Sequence, residues 1–476
     1  MTKLILQFLK ALPSIRRLKG IAVVSILLFI SPVAHADGPQ IDLWYGDHQI
    51  FGQQGQPQRW VNILGQVTGP APISSLTYSL NGEPEKPLAF GPDQYRLASF
   101  GDFNIDIPLS ALQPGRNEII IAATDTAGQQ AVKTAVFEYL PDATAPSPYE
   151  IDWSSVENIF DVGQVVDGQW SLEEKGVRSS IPGYDRIIAL GDMWWEDYEV
   201  TVPVTINRVE PQFSYPSNGA ALFVVVRWQG HREWDDSQPA RGWWPLGGGA
   251  EVSWITESET RIELAGNKVL TIDEDERGQQ LEIGERYYFK VRVETIPGYA
   301  SLYSFKFWNA TNPEPVDWEF RGQQRMWDPL YGSVLLVAHH VDATFGDVTI
   351  MPIDRSPWEW FVLLGSYVAQ LPLILLSVLI IFASIKNRKE NRRVTQFALL
   401  AATLFIVEAL GGTFLNIQLP IMLHRLGWST HEIGIALVAS ETLQTTLVAL
   451  GLGALVFAFY RWQWRQPPLP ESGQLS

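Results

Sequence analysis

The residues best suited to hold a ligand lie between Arg227 and Gly249. Arg227, Trp228, His231, Arg232, Trp234, Asp235, Asp236, Arg241, Trp243 and Trp244 are crowded together there, ahead of Gly247-Gly248-Gly249. Flat aromatic faces suit the C–H surfaces of pyranose rings, and planar charged groups suit paired hydroxyls. The segment follows the strand-like run Leu222 to Trp228, so a long loop on the rim of a β fold is expected, and binding residues concentrate on such loops. Arg227, Trp228, His231, Arg232, Trp234, Asp235, Asp236, Trp243 and Trp244 are the expected ligand contacts. The alternative is that the tryptophans fold inward as a lid over the core.

Other residue groups have simpler readings. Asp273-Glu274-Asp275-Glu276 is followed by Arg277-Gly278. Consecutive acids on a strand point to opposite faces, so a hydrophilic hairpin turn is expected and no residue is assigned a catalytic role. His339 and His340 are adjacent near a strand, which sends their rings to opposite sides and argues against a shared metal. Of the adjacent pair Trp194-Trp195, one is expected in the core and one outside. Glu408 and Glu441 fall within long apolar runs, where a carboxylate is costly and marks a functional position. At 1.5 Å rise per residue both lie about 14 Å deep, at nearly one level. They could share a proton, or act as protonated acids in hydrogen bonds between helices packed at Gly411-Gly412.

The elements that position these groups begin with an export signal. Lys3, Lys10, Arg16, Arg17 and Lys19 precede the apolar run Ile21–Ile30, Pro32 and Ala34-His35-Ala36. This is a signal peptide spanning residues 1–36, with cleavage expected after Ala36. The chain of 476 residues carries a net charge of −17, and losing that segment leaves it five charges more negative. An acidic surface repels phosphate backbones, so nucleic acid is excluded as a partner. There is no cysteine, which excludes disulfides and thiolate chemistry.

Residues 37–141 read as short alternating strands broken by turns, such as Ser75–Leu80 before Asn81-Gly82, and suggest an immunoglobulin-like sandwich. Residues 142–148 form a Pro-rich linker. Residues 149–355 form a larger β unit, with strands at 198–204, 222–228, 287–293, 303–307 and 333–337 and no expected helix. Three apolar stretches follow, at about 360–385, 397–422 and 433–460, each long enough to cross a bilayer. Five basic residues within Lys386–Arg393 place that loop in the cytoplasm, with both β units outside and the tail 466–476 inside.

The larger β unit resembles the concanavalin A-like lectin/glucanase superfamily in its laminin-G-like, sugar-hydrolase-related branch. Asp167–Leu172, Trp195–Val200, Gly332–Val337 and Ala343–Ile350 carry the resemblance. It implies a jelly-roll sandwich that binds saccharide. The superfamily's glucanases place three acids at alternate positions of one strand, a pattern that 273–276 departs from. Rim acids hold calcium in related lectins, and Asp192 with Asp235-Asp236 would be the candidates here. No twelve-residue calcium loop is present, so no metal or other cofactor is expected.

The expected fold is therefore an all-β ectodomain, an immunoglobulin-like sandwich plus a concanavalin A-like sandwich, followed by three transmembrane helices. The expected function is non-catalytic carbohydrate binding at the bacterial cytoplasmic membrane. A polysaccharide or glycan, the lipid bilayer and a further membrane protein are the expected partners. The rival readings are a glycan hydrolase or lyase with other acids, and an assembly or sensor subunit acting through its helices.

Overall fold

A computed structural model describes residues 38–353 and 368–463, except 94, 180, 211–218, 232–237, 241–244, 257–258, 268–270, 297–299, 325–327, 387, 390, 417–418, 420–422 and 424–429. The expected signal peptide and cytoplasmic tail lie outside the described residues, as do Arg232, Trp234, Asp235, Asp236, Trp243 and Trp244.

The first eight strands make two sheets. Gln40–Leu43, Trp60–Thr68 and Asp102–Pro108 form one, in that order. The other runs His48–Phe51, Gln130–Tyr139, Gly115–Asp125, Ile73–Leu80, Lys86–Pro87. His48–Phe51 pairs in parallel with Gln130–Tyr139, and the remaining ladders are antiparallel. Alternation along Gly115–Asp125 buries Asn117, Ile119, Ile121 and Ala123 and leaves the residues between them wetter, as a half-buried strand requires.

The second unit stacks a seven-stranded sheet on a nine-stranded one. The seven run Gln164–Asp167, Arg186–Leu190, Ser333–His339, Ala220–Trp228, Gly248–Thr256, Glu259–Gly266, Thr271–Glu274. The central strands of the nine are Val341–Phe345, Tyr198–Val209, Arg286–Ile296 and Ala300–Asn309. Their facing sides supply Leu222, Val224, Val252, Leu336, Val200, Phe289 and Phe305, all essentially inaccessible. Among the described residues only single-turn helices, Trp153–Ser155 and Ile159–Asp161, interrupt the strands.

The two units are not separated by a free spacer. Phe51 and Phe137 of the first share one apolar cluster with Phe160 of the second, and Phe51 meets Phe160 edge-on at 5.3 Å. Beside that cluster lies a buried polar seam. Arg96 donates to Asp106 at 2.7 and 3.0 Å, to Asp167 at 2.7 Å and to the Ala240 carbonyl at 2.6 Å. Asn104 donates to Asp167 at 2.8 Å, and Gln164 to Asn62 at 3.0 Å.

The helical region departs from the expected three spans. Among the described residues two helices are long and apolar enough to cross a membrane, Arg392–Asn416 and Gly434–Trp462. The first expected span is described only as the 16-residue helix α1, Leu371–Lys386, because 354–367 lie outside the described residues. α2, Arg392–Val407, continues through a π turn at Glu408–Gly412, and α3 is Thr430–Gln463. Apolar side chains face outward on all three, Phe382, Leu400 and Val456 among them.

Candidate functional site

The expected ligand residues that are described are interior. Alternation from Leu222, Val224 and Val226, which face the core, would send Arg227 outward. A bulge between Val225 and Trp228, with Arg227 at φ 57°, reverses the parity. Bulges re-aim side chains in this way. Gly332 makes room, since a Cβ there would sit 2.1 Å from the Arg227 carbonyl carbon.

The Arg227 guanidinium therefore plugs one end of the sandwich. It donates to Asp197 Oδ1, Ser301 Oγ and Thr295 Oγ1, each at 2.7 Å. Trp228 turns onto the outer face of the seven-stranded sheet and is inaccessible there among Val225, Leu246, Leu335 and Val337. His231 meets Trp228 edge-on at 5.6 Å and lies 3.2 Å from Asp167. All three side chains are buried.

The outer face carries a polar and aromatic cluster in register across adjacent strands, in which Glu251, Glu263, Ser253, Ala221, His339 and Val337 are buried. One row runs Glu263, Glu251, Phe223, Val337. The next runs Arg261, Ser253, Ala221, His339. The intervening Ile262, Val252, Leu222 and Ala338 belong to the core, so both rows point away from it. Phe223 is half-buried and Arg261 exposed. Strand spacing puts Glu251 and His339 about 12 Å apart, two strands across and two residues along.

The acidic end is a carboxyl pair. Glu251 accepts from Ser253 Oγ at 2.7 Å, and its other oxygen is buried without a partner. Glu263 accepts from Thr271 at 2.9 Å and lies 3.0 Å from Arg261. Burial, and then the neighbouring Glu263, push Glu251 up to about 7. Glu251 is thus a protonated acid at mildly acidic pH, and its hydroxyl can donate to Glu263.

The aromatic end centres on His339, whose Nδ1 lies 2.7 Å from Asp185 Oδ1. Tyr184 meets His339 edge-on at 4.8 Å, and Tyr95 of the first unit meets Tyr184 at 5.3 Å. The two histidines do not face opposite sides as expected. Their rings are 4.6 Å apart because His340, at φ 52°, leaves the strand geometry. Burial, then His339, lower His340 to about 4.

Asp273-Glu274 also differs from expectation. Both residues close the strand Thr271–Glu274, held by pairing of Thr271 with Ala265 and of Glu274 with Glu263, and the turn starts after them. Sequence reading missed Glu251 and Glu263 because it sought acids alternating on one strand. No sequence signal pairs them directly: a register shift between Trp254 and Thr256 brings Glu251 opposite Glu263, where unshifted counting from the Thr256–Glu259 pair would put Leu264.

No group of three metal-ligating side chains occurs among the described residues. Asp192, the one calcium candidate described, instead accepts from the Trp194 amide at 3.0 Å and the Gln56 amide at 3.4 Å. In the helices Glu408 is half-buried and Glu441 exposed, and among the described residues no hydrogen bond joins them. The polar contact between α2's extension and α3 is Asn416 with Gln444, at 2.9 and 3.3 Å.

No family model and no curated protein matches the chain. Among solved structures, the chain is similar to the Ca2+/Man3GlcNAc-bound exoplasmic/lumenal domain of VIP36 at 12% identity, over 44% of this chain and 94% of that one, with TM-score 0.28. The legume lectin-like domain from Entamoeba histolytica is 9% identical over 44% of this chain and 100% of that one, with TM-score 0.28. The endo-beta-1,4-mannanase from Thermotoga petrophila is 8% identical over 22% of this chain and 20% of that one, with TM-score 0.18. The chain thus spans a fifth of the mannanase. The stacked-sheet architecture rests on the strand pairing above and not on these likenesses.

Proposed function

We propose that the chain is a membrane-anchored, non-catalytic carbohydrate-binding protein of a bacterial cell envelope. The observation that carries this reading is the in-register patch on the outer face of the seven-stranded sheet. Its accessible groups are Phe223, Tyr184 and the exposed Arg261, backed by the buried polar side chains of Ser253, Glu251, Glu263 and His339. A span of about 12 Å accommodates two or three sugar rings. The sequence resemblance to the concanavalin A-like superfamily supports the same ligand class.

The first unit is read as immunoglobulin-like, supported by its three-on-five sheet arrangement and the parallel pairing of its second and last strands. The helices are read as three spans, with the ectodomain outside and Lys386–Arg393 in the cytoplasm. Their apolar outward faces and the basic loop support that reading. A second membrane protein would receive any signal, and no nucleic acid is expected as partner. A resident cofactor, calcium included, forms no part of the reading.

A glycan array probed with the full chain in detergent tests it, with Phe223→Ala as the variant and release of reducing sugar as the parallel assay. Binding to a restricted glycan set is expected, weakened at least fivefold by Phe223→Ala. Release of reducing sugar would favour the hydrolase. An array on which nothing is retained would remove the proposal.

A further inference from the structure

One cavity lies apart from the outer-face patch. A cleft of about 240 Å³ opens at the end of the second sandwich, and Ser147, Trp194, Trp195, Glu196, Asp197 and Ile353 are among its lining residues. Its volume equals roughly eight liquid waters, room for one sugar ring and not for a chain.

The walls are fixed before any ligand arrives. Trp195 packs edge-on against Tyr149 at 5.6 Å and Tyr198 at 5.8 Å. Gly191 lets that ring in, because a Cβ there would come within 2.0 Å of it. The Trp194 turn is pinned to the first unit through Asp192 and through the Met193 amide, which donates to the Gln56 carbonyl at 2.8 Å. The Trp194 indole itself is 41% exposed. A rigid, exposed indole loses little freedom on binding, which favours affinity.

The chemistry of the lining is one-sided. It holds two carboxylates, a serine hydroxyl and apolar surface from Ile350 and Pro352, and among the described lining residues no lysine or arginine. Arg227 stands behind Asp197 with its donors already placed, at 2.7 Å. Such a lining accepts hydrogen bonds and repels anions.

We propose that this cleft is a second saccharide subsite, which takes one neutral or amine-bearing pyranose residue and rejects acidic sugars. The Trp194 face stacks on the ring and Glu196 accepts from its hydroxyls or ammonium, while Asp197, buried and held by Arg227 and Thr295, braces the wall. The ligand class rests on the carbohydrate reading above, while the residues are separate from the outer-face patch.

The test uses the full chain in detergent, titrated calorimetrically with three tetramers: glucosamine, N-acetylglucosamine and galacturonate. The two hexosamine tetramers bind and galacturonate does not. Trp194→Ala weakens both about fivefold, Trp194→Phe keeps most of the affinity, and Glu196→Gln weakens the glucosamine tetramer more than its N-acetylated form. Unchanged binding in Trp194→Ala overturns the subsite. Equal binding of galacturonate overturns the ligand class. If Phe223→Ala abolishes hexosamine binding while Trp194→Ala leaves it intact, the outer-face reading stands and the cleft falls. The reverse pattern keeps the cleft and removes the outer-face site.

Discussion

Replacing Glu251 by Gln should make the protein more stable at alkaline pH and should remove part of its pH dependence. In the unfolded chain this carboxyl titrates at 4.5, and in the folded protein at about 7, chiefly because burial penalises its ionised form. Between those values the native state keeps a proton that the unfolded state has released. Stability from this group is therefore fully present below 4.5 and is lost as pH rises through 7. The displacement corresponds to about 3 kcal/mol. A glutamine keeps the shape and can donate an N–H towards Glu263, yet has nothing to ionise. Glu251→Gln should match the wild type near pH 4.5 and exceed it by up to about 3 kcal/mol at pH 8. Denaturant unfolding of both proteins from pH 5 to 8 measures this. Two other buried groups contribute but cancel in the comparison. Asp328, pushed up to about 6 by burial, adds a slope of the same sign, and His340, held near 4, adds the opposite one. Parallel stability curves for the two proteins, or a less stable variant at pH 8, would refute the reasoning.

The remaining predictions concern polar contacts elsewhere. Arg96→Ala removes the cation that Asp106 and Asp167 share and leaves them to neutral donors and His231, so a loss of about 3 kcal/mol is expected. A change below about 1 kcal/mol in denaturant unfolding would mean the seam is hydrated. Gln444→Leu strands the Asn416 amide and should cost on the order of 1 kcal/mol in the helical region, with coupling between the two positions in a double-mutant cycle. Glu408→Leu and Glu441→Leu should instead add independently in the same unfolding assay, because no hydrogen bond joins the two acids.

Strand alternation made much of the β architecture readable. Tyr198, Val200, Val202 and Val204 are buried as their spacing requires. The adjacent tryptophans divide as expected, Trp195 packing against the core and Trp194 standing exposed. What alternation cannot show is where it breaks. A single left-handed residue at Arg227 exchanges the faces of Arg227 and Trp228, turning expected ligand contacts into buried side chains. His340 does the same at the end of its strand. Both are non-glycine residues at positive φ, a conformation that residue type does not announce. The partnership of Glu251 with Glu263 was hidden in the same way, since a bulge between Trp254 and Thr256 shifts the hairpin register by one residue.

The seam around Arg96 had no sequence signal, because its members come from loops and strands scattered between Asn62 and Ala240 that only the packing of the two units unites. That packing bears directly on both candidate surfaces. Tyr95, from the same loop as Arg96, abuts Tyr184 and so extends the aromatic end of the outer-face patch. Gln56 holds the turn that presents Trp194. The Gln238 carbonyl accepts from Ala89, and the Ala240 amide donates to Asp106 at 2.7 Å, which fixes the segment following Trp228 from the side of the first unit. Each surface is thus shaped by residues from both sandwiches. The first unit forms part of both proposed surfaces, and the two sandwiches pack as one body around them.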